Sequence, residues 1–129
     1  MTGKTVYLDT HVIIWLASKD FKKFPESVLE RINNSKLFIS PIVLLEMQYL
    51  LEVKNLDGSI HKAVENLKES LLLEVCPEPF EIVIKESLSL TWTRDPFDRI
   101  IVAQSALTQA PLLTKDRNIH KHYSKAIWD

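Results

Sequence analysis

Glycine is nearly absent from this sequence. Only Gly3 and Gly58 occur in 129 residues, too few for the glycine-rich turns of a dinucleotide-binding fingerprint or a phosphate-cradling loop. A single cysteine, Cys76, excludes an intrachain disulfide and any cysteine-rich zinc cage, and fits a reducing cytosol. No apolar run approaches the length of a membrane span, and Met1-Thr2-Gly3-Lys4 leads straight into a strand rather than a signal peptide, so a cytoplasmic protein is expected. There is no excess of one charge either: 16 Lys and Arg stand against 17 Asp and Glu. No global basic field draws a polyanion to the chain, and such a partner would have to be held by a local patch or a metal. A nucleophile elbow is missing, and His11, His61, His120 and His122 lack zinc-protease spacing, with His120-x-His122 reading as solvated helix surface.

What is present is an ordinary soluble composition, 46% hydrophobic and 26% charged, long enough for one domain with a hydrophobic core spanning 1–129. Short apolar strands alternate with helical patterns. Thr5–Leu8 reads as a strand and His11–Ala17 as a helix. A second helix opens at Pro25-Glu26, followed by a strand over Lys36–Ser40. A helix with Ser40 as N-cap and Pro41 in its first turn comes next. A helix over Ile60–Glu69, a strand over Leu71–Val75 and a helix over Phe80–Leu88 lead to a loop, Thr91–Arg94. A long helix over Pro96–Gln109, a buried strand over Pro111–Thr114 and a last strand over Ala126–Trp128 complete the order. This alternation predicts an α/β fold whose central, mainly parallel sheet is covered by helices on both faces.

Glu46 is the most informative residue. Its helix neighbours three and four positions away are Ile42, Val43, Tyr49 and Leu50, all apolar, and a carboxylate stays ionised on such a face only with a cation or several hydrogen bonds. A buried Glu bridged to an Arg or a backbone amide is the ordinary alternative. Three more acids sit at equally deliberate places. Asp9 directly follows Val6-Tyr7-Leu8, Asp116 follows Leu112-Leu113-Thr114-Lys115, and Asp98 lies in the first turn of the helix begun by Asp95-Pro96. Ligands of open α/β sheets bind beyond the carboxyl ends of the strands, where all four can converge.

Each has a plainer reading as well: Asp9 as an N-cap, Asp95 and Asp98 as a capping box, Asp116 as a turn residue. Taken together those readings strain, because like charges about 4 Å apart repel by roughly 4 kcal/mol in a medium of dielectric about 20. Clustered carboxylates must protonate or bind a divalent cation, and all-oxygen ligation suits Mg²⁺ or Mn²⁺ rather than zinc. Arg94, Arg99, Lys115 and Arg117 flank the acids and are candidate phosphate contacts; an ordinary solvated charge or a counter-charge to the carboxylates is the alternative for each, and the stronger reading for Arg99. Trp15, Trp92 and Trp128 read as core or interface, with Trp92, in its loop, the one that could stack a base. The Glu46 helix is apolar almost all round, which suggests burial on more than one side or an interface.

Leu8-Asp9-Thr10, Pro41-x-x-x-x-Glu46, Arg94-Asp95-Pro96-Phe97-Asp98-Arg99 and Leu113-Thr114-Lys115-Asp116 together resemble the PIN-domain nucleases, above all the VapC-type toxins of prokaryotic toxin–antitoxin pairs. The resemblance covers nearly the whole chain and implies a three-layer α/β/α sandwich. It further implies Mg²⁺- or Mn²⁺-dependent endoribonuclease activity, a homodimer and a small antitoxin that occludes the site. By position it makes Asp9, Glu46, Asp98 and Asp116 the catalytic, metal-holding quartet, with Thr10, Thr114 and Asp95 as accessories. Two rival functions remain. One is an acidic-pocket phosphotransfer domain, against whose phosphatase form the Thr10-His11 after Asp9 counts. The other is a non-enzymatic binding module with an acidic docking cluster.

Overall fold

The computed structural model describes residues 4–129, so the Met1-Thr2-Gly3 lead-in lies outside the described residues. Five strands, β1 (Lys4–Leu8), β2 (Ser35–Ile39), β3 (Glu74–Val75), β4 (Leu112–Leu113) and β5 (Ala126–Ile127), form one sheet in the order β3-β2-β1-β4-β5. Every pairing is parallel, with Val6 opposite Leu37, Tyr7 opposite Phe38 and Leu112, and Leu8 opposite Leu113. Val6, Tyr7 and Leu8 are all buried, although successive strand residues point to opposite faces. Both faces of the central strand are therefore covered, as a parallel sheet requires. The result is the expected three-layer α/β/α sandwich.

Seven helices supply the outer layers: α1 (Thr10–Ala17), α2 (Glu26–Asn33), α3 (Ile42–Val53), α4 (Ile60–Leu71), α5 (Phe80–Ser87), α6 (Pro96–Leu107) and α7 (Arg117–His122). On α2 and α4 the buried residues recur at helical spacing, Val28 with Ile32 and Val64 with Leu67, and the remaining faces are mostly polar. α6 buries five consecutive residues, Ile101–Ser105, and packs against both α3 and α5.

The connections set the position of the site. From β1 the chain runs through α1 and α2 to β2 on one side, whereas from β4 it runs through α7 to β5 on the other. The crossovers leave in opposite directions at β1 and β4, so a cleft opens between the carboxyl ends of those two strands.

Several local expectations change. Pro41, not Ser40, occupies the N-cap of α3, with the Ser40 hydroxyl accepting from the Ile42 amide at 3.3 Å. The strand expected over Leu71–Val75 shrinks to Glu74–Val75, because Leu71 completes α4 and Leu72 turns the chain with φ +56°. The helix surface expected at His120 and His122 belongs to α7, which Asp116 caps rather than making a turn: its carboxylate accepts from the Ile119 amide at 3.0 Å. On α3 only Val43 and Met47 are fully buried. Leu45, Tyr49 and Val53, four residues apart, form an exposed stripe.

Candidate active site

Asp9 is 4% exposed at the end of β1, where extended backbone lets it cap α1. Its Oδ1 accepts from the Thr10 amide at 2.7 Å and its Oδ2 from the Thr114 hydroxyl at 2.6 Å. Thr114 Oγ1 in turn accepts from the Asp116 amide at 3.0 Å. One buried threonine thus ties together the acids that follow β1 and β4. Thr10 does the same across another seam: its hydroxyl donates to Glu46 Oε1, joining the start of α1 to the middle of α3.

Asp95 caps α6 by accepting from the Phe97 amide at 2.8 Å, and its own amide donates to the Thr93 hydroxyl at 3.1 Å rather than to Asp98. The capping box is therefore only half formed, and Asp98 is left to face the cleft. Its pKa is pushed up to about 8, first by burial and then by the negative charges of Asp95, Asp9, Asp116 and Glu46. Glu46 is also raised, chiefly by burial, with the Thr10 hydrogen bond opposing and Asp9 and Asp95 adding to the shift. The four acids expected from the sequence therefore sense one another electrostatically although they come from four different elements.

They do not close into a cage. Among the described residues no three His, Cys, Asp or Glu side chains are gathered around a common point. Uncompensated carboxylates repel, so an open arrangement is what the bare chain should adopt. The donor set still suits a divalent cation: it is all oxygen, and burial, with the neighbouring negative charges adding to it, pushes Asp98 toward protonation at neutral pH. Cavities of about 640 and 590 Å³ lie elsewhere, and neither is lined by any of the four acids.

His11 is a functional candidate that the sequence reading passed over. Its Nε2 accepts from the Lys115 amide at 3.0 Å and its Nδ1 lies 3.5 Å from Asp9 Oδ2. The imidazole is therefore neutral, with its proton on Nδ1 facing the carboxylate. Burial lowers its pKa, outweighing the pull of Asp9 and Asp116. Trp15 and Trp128 pack edge-on to the ring, at centroid distances of 4.9 and 6.2 Å. The one sequence cue was its position two residues after Asp9. Partners that hold metal-ligating groups in place are typically worth about 10–100-fold in metal affinity or activity. His11→Ala should accordingly lower activity by that factor, with His11→Asn, which keeps one donor and one acceptor, recovering part of it. Equal rates for wild type and both variants would remove His11 from the site.

Of the four basic candidates, Arg94, Lys115 and Arg117 are exposed beside the acids. Arg99 is not available in the same way. Its Nε and Nη2 donate to Ser87 O at 3.3 and 3.2 Å, and Nη2 also to Leu88 O at 3.1 Å, so its fork closes the end of α5. Both readings of Arg99, phosphate contact and the stronger one of solvated charge or counter-charge to the acids, give way here to a structural brace.

A parallel α/β/α sandwich with four acids, Asp9, Glu46, Asp98 and Asp116, brought to the strand switch defines the class of fold. The PIN domain family matches residues 6–125, and the chain belongs to that family. Two solved structures share the fold. One is VapBC2 from Rickettsia felis bound to a DNA fragment from their promoter, at 19% identity and TM-score 0.64, covering 97% of this chain and 99% of that one. The other is VapBC-1 from nontypeable Haemophilus influenzae, at 18% identity and TM-score 0.65, covering 97% and 96%. No curated protein matches by sequence. PIN domains are generally nucleases, that is, hydrolases acting on nucleic acid.

Proposed function

We propose that this chain, acting as a single nuclease domain, is a Mg²⁺- or Mn²⁺-dependent endoribonuclease and the toxin of a toxin–antitoxin pair. The observation that carries the reading is the setting of Asp98 at the strand switch, where its pKa is raised first by burial and then by the charges of Asp95, Asp9, Asp116 and Glu46. A docking surface has no need to bury a carboxylate among like charges. A metal site does, because the cation repays the repulsion.

Asp9, Glu46, Asp98 and Asp116 would hold the cation. A divalent cation so held would supply polarisation of a phosphodiester and a bound water acidic enough to attack phosphorus. The chain's own residues do the rest. Thr114 and Thr10 fix the rotamers of Asp9 and Glu46 before substrate arrives. Asp98 would have to give up its proton to hold a cation, so metal affinity should rise with pH through about 8. Arg94, Lys115 and Arg117 meet the phosphates on either side and fix the strand without reading its sequence. Asp95 adds negative charge to the cleft and holds the start of α6 in place.

The similar structures and the surface support two protein partners. The two similar structures are VapBC assemblies, which supports a small antitoxin as partner. The stripe Leu45, Tyr49 and Val53, each at least half exposed, supports a second copy of the chain against α3, and sedimentation should then give a dimer that Tyr49→Lys disrupts. Among the described residues no helix is long and apolar enough to cross a membrane, in keeping with a cytoplasmic site of action.

The test is cleavage of total cellular RNA by antitoxin-free protein with Mn²⁺ or Mg²⁺, beside Asp98→Asn protein and an EDTA control. Discrete fragments that vanish in both controls are expected. Intact RNA in every lane, together with no Mn²⁺ binding by calorimetry, would overturn the proposal.

A further inference from the structure

Trp92 and His122 lie face to face, joining the loop before α6 to the end of α7. Their ring centroids are 4.8 Å apart and the ring planes differ by 4°. The two residues belong to the segments that carry the acids. Trp92 is three residues before Asp95, the cap of α6, and His122 ends α7, about 9 Å along the helix from Asp116. Exposed Arg94 and Arg117 stand on the same two segments.

Both rings are held in place. Trp92 is half-buried and packs against the hydrophobic core. His122 Nδ1 lies 3.0 Å from Asn118 O one turn earlier, which fixes the imidazole plane with its proton on Nδ1. α7 itself is anchored by fully buried Ile119 and by the Tyr123 hydroxyl, which donates to Ala110 O at 2.5 Å. One face of His122 therefore lies on the indole, yet the residue is exposed, so its other face is open to solvent.

We infer that the Trp92–His122 stack is a nucleobase platform that grips a base of the substrate strand next to the cleft. The inference rests on the ribonuclease reading and names how that site holds its substrate. An aromatic face accepts any base, while flanking guanidiniums take the phosphates, the combination by which single strands are bound. The orientation of both rings is fixed beforehand, so little freedom is lost on binding.

The experiment measures binding of a fluorescein-labelled single-stranded RNA, and of an abasic oligonucleotide of the same length and charge, to Asp98→Asn protein, in which cleavage is blocked. Adding His122→Ala should weaken RNA binding by about 5–150-fold and leave the abasic probe unchanged. His122→Tyr, which restores a flat ring, should recover most of the loss. In cleavage by the otherwise unaltered chain, His122→Ala should raise KM and spare kcat. Trp92→Phe serves as the second probe, since it keeps a ring and tests the indole without emptying the position. RNA binding within twofold of the parent for His122→Ala, or equal losses for RNA and abasic probe, would overturn the platform. Base-dependent binding without any cleavage by the parent chain would overturn the nuclease reading and leave the platform standing.

Discussion

Asp98→Asn should abolish cleavage and at the same time make the metal-free protein more heat-stable at alkaline pH. The activity loss follows from removing one of the carboxylates that would hold the cation. If the lost transition-state charge stabilisation is several kcal/mol, the rate falls on the order of 10²–10⁴-fold. The stability gain follows from linkage. In the fold the Asp98 pKa is about 8, against an ordinary 3.8. Between those values the folded chain keeps a proton that the unfolded chain has released, so stability falls as pH rises from about 4 to 8, and the full penalty applies above pH 8. Asparagine carries no charge and escapes it.

Melting in EDTA at pH 5 and pH 8.5 checks this. The wild type should lose several degrees more than Asp98→Asn between the two, at roughly 3–5 °C per kcal/mol for a chain of this size. Mn²⁺ should then raise the wild-type melting point at pH 8.5 and leave the variant nearly unmoved. A variant that melts below the wild type at pH 8.5 in EDTA would mean the carboxylate stabilises the fold, which is incompatible with a site built on repulsion.

The acids were legible in the sequence because each sits at a position whose geometry is local: directly after a strand, or in the first turns of a helix that leaves one. The plainer readings were legible too, and several are also true. Asp9, Asp95 and Asp116 all cap helices, yet the cap occupies only one oxygen of Asp116, and the second oxygen of Asp9 is turned to Thr114. Capping orients a carboxylate rather than consuming it. What escaped the sequence depends on distant parts of the chain. His11 is defined by the Lys115 amide, 104 positions away. Arg99 is defined by carbonyls of a neighbouring helix. The extents of the short elements escaped as well: α7 has six residues, too few for a hydrophobic period, and the expected last three strands shrink to two residues each, β3 paired to β2, β4 to β1 and β5 to β4.

Arg99→Ala should cost about 2–3 kcal/mol of stability, seen as a fall of roughly 10 °C in melting temperature. The last carbonyls of a helix have no partner within it and form the negative end of its dipole. Arg99 fills that need for α5 by reaching Ser87 O and Leu88 O at once. Deleting the guanidinium leaves both without their charged donor at a junction where α5 and α6 pack together. Lysine keeps the charge but not the fork, so Arg99→Lys should recover only part of the loss. Asp98 is the preceding residue on α6, so loosening this junction should lower kcat about tenfold with little change in KM for RNA. A phosphate contact would behave in the opposite way. It would leave the melting point within a couple of degrees, raise KM in Arg99→Ala, and be largely rescued by Arg99→Lys, since a phosphate is satisfied by a point charge.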